Sequence, residues 1–353
     1  MIISLTGPAF RNMDINLGYG QAASGIYKAL AELGLDVQIE NPKADIELCF
    51  SHPIEHNFLN PNSYKIVYSA WESTSLKPEW IRNMNQADEI WATSDWVKNV
   101  FQELFPNKKV YVYKHGINPL WKPVLRKTAN KPFTFLHVGE PYSRKDAQLV
   151  TNTFIELFGE DPNYRLVLKA SGMNTVKVKD PHFGFLSSPS AAYDNIISID
   201  GILTEEQMIG LHQQCEVFVY PSWGEGWGLQ PIQALASGMP VISTDGWADY
   251  YQYITWRVDS TWSYSPWQDI HPGLMMEPNK SSLKEQMLNA VANYDSVLKK
   301  TFNDAFELHK TYDWKEVSKP AVDRLEKISK MIELAQNNKK RRFPRFKKAD
   351  VIH

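Results

Sequence analysis

The residues able to do chemistry gather in a few short stretches. The densest runs from Pro221 to Ser243, where Gly224, Gly226 and Gly228 surround Glu225 and Gln233 follows on. Glycines let a backbone approach an anion closely, and a helix just after them offers unpaired N–H groups and a positive dipole end. Such a loop suits phosphate, yet a carboxylate repels it. Glu225 makes sense there if it accepts hydrogen bonds from sugar hydroxyls; the plainer alternative is a tight turn with a surface Glu. A second stretch, Gly139-Glu-Pro-Tyr-Ser-Arg-Lys-Asp, puts the cations Arg144 and Lys145 in one loop. A third, Trp71-Glu72-Ser73-Thr74, sets an acid beside a ring expected to be exposed for stacking on a sugar; otherwise Glu72 partners an N-cap at Ser73. His52 and His56 stand four apart, but Pro53 and Pro61 argue for a loop and no third ligand is evident, so a cleft-lining loop is expected rather than a metal site.

These stretches need strands and helices to aim them. The apolar, β-branched and aromatic run 216–220 reads as a buried strand. A helix over 229–236 ends at Gly238 and Pro240, and a strand begins at 240. This is a βαβ unit, and its glycine loop lies at the carboxyl end of a parallel strand, where ligands gather. At the front, a strand at 2–5 leads into a polar loop ending in Gly18-Tyr19-Gly20. A helix carrying Ile26, Leu30 and Leu33 then ends at Gly34. Strands follow at 35–40, 46–50, 65–69, 89–93 and 109–113, with helices at 78–86 and from the N-cap Ser94 to 105. Residues 117–131, with Pro119 and Pro123, read as a linker. Beyond it come strands at 133–138, 164–169 and 196–199 and a helix opened by a capping box at Thr204. The stretch 172–190 is expected to be a lid or acceptor loop, and helices are expected at 281–294, 302–312 and 314–334. Eight aromatics between Trp247 and Trp267 fit either core packing or carbohydrate or base stacking.

The central stretch resembles the donor-site motif of the retaining GT-B glycosyltransferases of family four, Glu-Gly-Phe-Gly-Leu-x-x-x-Glu-Ala-x-Ala-x-Gly-x-Pro-Val-Ile. Glu225, Gly226, Gly228, Leu229, Ala234, Ala236, Gly238, Pro240, Val241 and Ile242 match, with Trp227 for Phe. Gln233 stands where that family has a second Glu, which binds ribose hydroxyls. Gln keeps an acceptor oxygen and loses the charge. The segments from Ala87 and from Lys114 through His115 to Asn118 are similar to the family's "aDevwvpSew…vphGid" pattern. In the family's Gly-Arg-x4-Lys, Glu140 takes the Arg position, Lys145 matches the Lys, and Arg144 is the neighbouring cation.

The resemblance implies an α/β chain of GT-B architecture. Two Rossmann-like domains face across a cleft, and a C-terminal helix crosses back to the N-terminal domain. The expected divisions are 1–117 for an acceptor domain, 118–132 for the linker, 133–312 for a nucleotide-sugar donor domain, 313–338 for the returning helix and 339–353 for a basic tail. It implies retaining transfer from a UDP- or GDP-type nucleotide-sugar to a hydroxyl, with Glu225, Arg144 and Lys145 at the reaction centre and neither cofactor nor metal. Gly18, Tyr19, Gly20, Gly139, Gly226, Trp227, Gly228, Leu229 and Gln233 would hold the donor. Trp71, Glu72 and His115 would face the acceptor. A sugar-nucleotide epimerase and a non-catalytic nucleotide-sugar binding protein use the same fold and stay open.

Composition is that of an ordinary soluble globular protein of 353 residues, long enough for two domains. Cys49 and Cys215 sit in apolar runs and read as core residues of a reduced, cytoplasmic protein. No run approaches 18 apolar residues, and the start lacks a signal peptide's pattern. Net charge is −2, but Lys339 to Lys348 holds seven basic residues and no acid, leaving the rest at −9. That tail points to an anionic membrane carrying a lipid-linked or envelope glycan, or to DNA with a hydroxylated base; the alternative is a passive terminus.

Overall fold

The computed structural model describes residues 1–13, 18–140, 143–170, 177–180, 184–187 and 193–342. The N-terminal half builds a parallel sheet from β1 (Ile3–Thr6), β2 (Val37–Ile39), β3 (Ile46–Phe50), β4 (Tyr64–Ser69), β5 (Glu89–Ala92) and β6 (Lys109–Val112), in the order β2-β1-β3-β4-β5-β6. The second sheet takes β7 (Phe133–Val138), β8 (Tyr164–Ala170), β9 (Lys177–Asp180), β10 (Gly184–Ser187), β11 (Ile196–Asp200), β12 (Val217–Tyr220), β13 (Val241–Thr244) and β14 (Trp256–Val258). Its order is β14-β13-β12-β7-β8-β11-β10-β9, parallel except for the antiparallel β10 and β9 at the edge. Strands β3, β5, β7, β12 and β13 are buried along their whole length, which is why they are largely apolar, with Glu47 and Glu89 among the buried polar exceptions.

The strand order reverses between β1 and β3 in the first sheet and between β7 and β12 in the parallel part of the second. Those are the crevices where such sheets bind ligands, and the loops carrying the sequence motifs leave from them. Helices α1 (Pro8–Asn12), α2 (Gly18–Glu32), α3 (Pro78–Met84) and α4 (Asp95–Leu104) belong to the first half. Helices α5 (Ala147–Phe158), α6 (Glu205–Gln214), α7 (Leu229–Ala236) and α8 (Lys280–Thr311) belong to the second. Ser94 Oγ accepts from Val97 N at 3.3 Å, and the expected capping box at Thr204 is present with Gln207 as its partner. The last helix, α9 (Trp314–Arg342), returns to the first half, where Ala321, Leu325 and Ile328 join the core around β1, β3 and β4.

Three sequence expectations change. Gly18-Tyr19-Gly20 is the first turn of α2 rather than a loop, and Tyr19 packs its ring on Phe50 from there. The two expected helices are one, α8 (Lys280–Thr311): Leu298, Thr301 and Ala305 carry the buried stripe across the expected gap, and no Gly or Pro interrupts it. Within 172–190, β9 and β10 pair as strands; the rest of that stretch lies outside the described residues. Residues 118–132 hug the second half, with Trp121 Nε1 donating to Glu205 Oε1 at 2.9 Å and Val124 N to Ser237 O at 3.2 Å. Of the basic tail, 339–342 end α9 and 343–353 lie outside the described residues.

Several features join the halves. The Trp314 ring fills a slot that a side chain at Gly25 or Gly116 would block, and Ile117 N donates to Tyr312 O at 2.8 Å. An antiparallel hairpin, β15 (Ser260–Tyr264) with β16 (Leu274–Pro278), reaches across to residues 73–75. Ser73 Oγ donates to Pro272 O at 2.7 Å, Thr74 N to Leu274 O at 3.1 Å, and Leu274 N to Thr74 Oγ1 at 2.9 Å. The aromatic segment divides accordingly. Trp247, Tyr250 and Tyr251 are core, whereas Trp262 and Tyr264 on the hairpin are 51% and 80% exposed.

Candidate active site in the interdomain cleft

The loop after β12 puts Glu225 at the floor of the cleft, almost wholly buried. Its Oε1 accepts from Tyr220 Oη at 2.6 Å, from Ser222 Oγ at 3.0 Å and from Arg144 Nη1. Arg144 comes from the loop after β7. Its Nη1 also donates to Gly224 O at 2.9 Å, and its Nη2 meets Glu72 Oε1 from the other half at 3.3 Å. Trp223 N donates to Arg144 O at 2.8 Å, and Trp223 Nε1 to Asp146 Oδ2 at 2.9 Å, so the two loops are laced together. Burial alone would lower the Arg144 pKa, but the Glu225 and Glu72 carboxylates outweigh it and hold the guanidinium firmly charged. Burial, then the Glu225 charge, pushes the Tyr220 phenol far up, so it donates to the carboxylate at all ordinary pH.

The glycines have separate tasks. A side chain at Gly224 would strike Glu72 O, and one at Gly226 would strike Ala70 and Trp71 N. These two let the loop lie flat against the carboxyl end of β4, where Thr93 Oγ1 also donates to Gly226 O at 2.7 Å. Only Gly228, at φ +82, needs the left-handed conformation, and it caps α7. Tyr250 Oη fixes that turn by donating to Trp227 O at 2.8 Å and Gly228 O at 2.5 Å. The α7 N-terminus therefore opens towards the cleft.

A cavity of about 500 Å³ occupies the cleft, bounded by both sheet ends. Its wall includes Gly18, Tyr19, Glu72, His115, Gly139, Arg144, Lys145, Glu225 through Leu229, and Gln233, which brings most of the residues singled out in the sequence to one place. Gln233 Nε2 donates to Gln21 Oε1 of α2 at 3.0 Å, bridging the halves. His115 is packed among Phe50, Tyr68, Trp227 and Trp314, and neither ring nitrogen has a partner among the described residues. Burial pushes its pKa down to about 3, so it is a neutral imidazole with open hydrogen-bonding capacity at the cavity wall.

Three expected site residues behave otherwise. Trp71 is not an exposed platform: it is fully buried, packs against Trp80 and His271, and its Nε1 donates to Ser75 O at 3.0 Å. The strand end where it sits is covered by the hairpin loop, so the ring serves packing. Gly20 is buried within α2 and is not part of the cavity wall. Nor is Arg144 a free cation, since carboxylates take both ends of its guanidinium. The ring nitrogens of His56 meet the carbonyls of Pro53 and Tyr68, each at 3.4 Å. Among the described residues no cluster of His, Cys, Asp and Glu could hold a metal ion.

Sequence reading missed Tyr220, Gln21, Lys169 and His271. Tyr220 and Lys169 were visible as polar ends of apolar strands, the positions that face a cleft in parallel sheets. His271 gave no signal, because only the hairpin brings it to 3.6 Å from Glu72 Oε2.

Comparison with known proteins adds to this. The chain is similar in structure to a sucrose-phosphate synthase from Thermosynechococcus elongatus (TM-score 0.64, 14% identity, 95% of this chain and 100% of that one). It is also similar to the pneumococcal O-GlcNAc transferase GtfA solved with UDP and GlcNAc (TM-score 0.53, 14% identity, 89% and 60%). The fold is GT-B. Residues 126–254 match the family model for glycosyl transferases group 1. A putative glycosyltransferase of Sulfolobus islandicus filamentous virus is 22% identical over 310 residues, spanning 81% of this chain and 84% of that protein. No described helix is long and apolar enough to cross a membrane.

Proposed function

We propose that this chain moves a sugar from a nucleotide-sugar to a hydroxyl acceptor within the interdomain cleft, with retention of anomeric configuration. The observation that carries the reading is the convergence of Glu225, Lys145, His115, Gln233 and the α7 N-terminus on one cavity from both halves. The diphosphate lies against Lys145, Gly139 and the start of α7, where unpaired N–H groups and the helix dipole favour negative charge. Those groups stabilise the charge that develops on the leaving diphosphate, which takes the acceptor's proton as the new glycosidic bond forms on the face the diphosphate leaves. Glu225 binds sugar hydroxyls; Tyr220, Ser222 and Arg144 fix its orientation. Gln233 meets the ribose, and His115 hydrogen-bonds a hydroxyl in the cleft. Glu72 lies on the acceptor side. UDP in a structural neighbour supports a nucleoside diphosphate as leaving group. The run Lys339 to Lys348 supports docking on an anionic carrier of the acceptor, a lipid-linked or envelope glycan.

A thermal-shift panel of UDP- and GDP-sugars tests the reading. A ligand at a hundred times its Kd should stabilise the protein by about 2.7 kcal/mol. Failure of every nucleotide-sugar to raise the Tm would overturn it.

A further inference from the structure

Three cations line the cavity, and they are not equivalent. Arg144 is held by Glu225 and Glu72, and Lys145 Nζ lies 3.8 Å from Glu140 Oε2. Lys169, at the end of β8, is only 6% exposed, yet no carboxylate among the described residues lies within 4.0 Å of its ammonium. Nζ donates instead to two carbonyls, Ala170 O at 3.1 Å and Gly201 O at 2.7 Å, so it is folded over the carboxyl ends of β8 and β11. Its backbone is tied to the phosphate side of the cleft, because Gly139 N donates to Lys169 O at 2.9 Å. Burial pulls its pKa below the usual lysine range; Glu140 and Asp200 oppose that from a distance, and Lys145 adds to it.

A buried charge without a counter-charge is costly, and proteins pair such groups or use them. Lys169 stands in the cavity wall, where an anionic ligand supplies what the protein does not. The same wall carries an acid, Glu140, at the position where the resembled motif has an Arg, and the neighbouring Arg144 is already engaged. Among the described residues the cavity therefore has no second free cation for a diphosphate unless Lys169 provides it.

We propose that Lys169 is a phosphate-binding residue, the second cation on the donor's diphosphate in place of the one missing at position 140. This rests on the nucleotide-sugar reading above. The two carbonyls fix where the ammonium sits, and its remaining donor capacity and its charge serve the phosphate.

Titration calorimetry with inorganic pyrophosphate, UDP and GDP on the full chain tests the assignment. Lys169→Gln retains N–H donors for the carbonyls and removes the charge, whereas Lys169→Arg retains the charge. Wild type should bind pyrophosphate and at least one of the two nucleotides. Lys169→Gln should bind at least about tenfold more weakly to each, with Lys169→Arg staying within about threefold of wild type. Wild-type affinity in Lys169→Gln, or equal losses in both variants, would make the lysine a loop tie and overturn the proposal. Wild type that binds none of the three would instead overturn the nucleotide-sugar reading, and Lys169's role with it.

Discussion

At the scale of single residues, Glu225 is the centre of a preset network. One of its oxygens takes three donors, Tyr220, Ser222 and Arg144, and the carboxylate has little rotational freedom left. A group so fixed can hold a sugar hydroxyl more tightly in the transition state than in the ground state. Glu225→Ala should lower kcat by at least about tenfold in a nucleotide-release assay, and unchanged kcat/KM would remove the residue from the reaction. Gln233 is a second case. If its amide oxygen faces ribose, Gln233→Glu should tighten nucleotide binding, since hydrogen bonds to a charged acceptor are about twice as strong. Glu cannot donate to Gln21 Oε1, so the gain depends on the Gln21 amide turning its N–H₂ towards it. Calorimetry with UDP and GDP reads the outcome, and weaker binding would mean the bridge to α2 matters more than the ribose contact.

At the scale of elements, glycines decide where the halves touch. Gly25 and Gly116 make the slot for Trp314, which anchors the start of α9 after the chain has left the second half. Gly116→Ala should expel the ring and lower the Tm by at least about 3 °C in calorimetry, because overpacking costs about 1–3 kcal/mol. The parallel strands and the glycine loop were legible in the sequence because short, largely apolar runs and turn residues are local signals. Ser94 and the Thr204 capping box were legible for the same reason. What was not legible depended on a partner distant in the chain. Trp71 looks like an exposed ring until the hairpin loop with His271 covers it, 200 residues later. Arg144 looks free until Glu72 arrives from the other half. Gly224 and Gly226 look like phosphate glycines, yet the atoms a side chain there would strike belong mainly to residues 70–72.

At the scale of the whole molecule, four buried histidines spread over both halves set the acid limit of stability. Burial pushes His115 to about 3 and His56, His137 and His212 to about 4. Each binds a proton less readily folded than unfolded, where the pKa is about 6.5. The unfolded state thus takes up more protons between about pH 4 and 6.5, and stability is lost as pH falls through that window. Each should cost about 2 kcal/mol between pH 6.5 and 5, so the Tm should fall steeply over that range, with a shallower fall in His212→Asn. A flat Tm from pH 7 to 5 would mean that these rings reach water. The central claim concerns the cleft as a whole: two crevices, one from each sheet, closing on a sugar-transfer site. Its most direct test is to incubate the protein with the nucleotide-sugar that raises its Tm most and follow products by mass spectrometry and NMR. The account predicts release of the nucleoside diphosphate, with the sugar passed to a hydroxyl or to water in its original anomeric configuration. Binding without release, conversion of the nucleotide-sugar to its epimer, or an inverted product would contradict it.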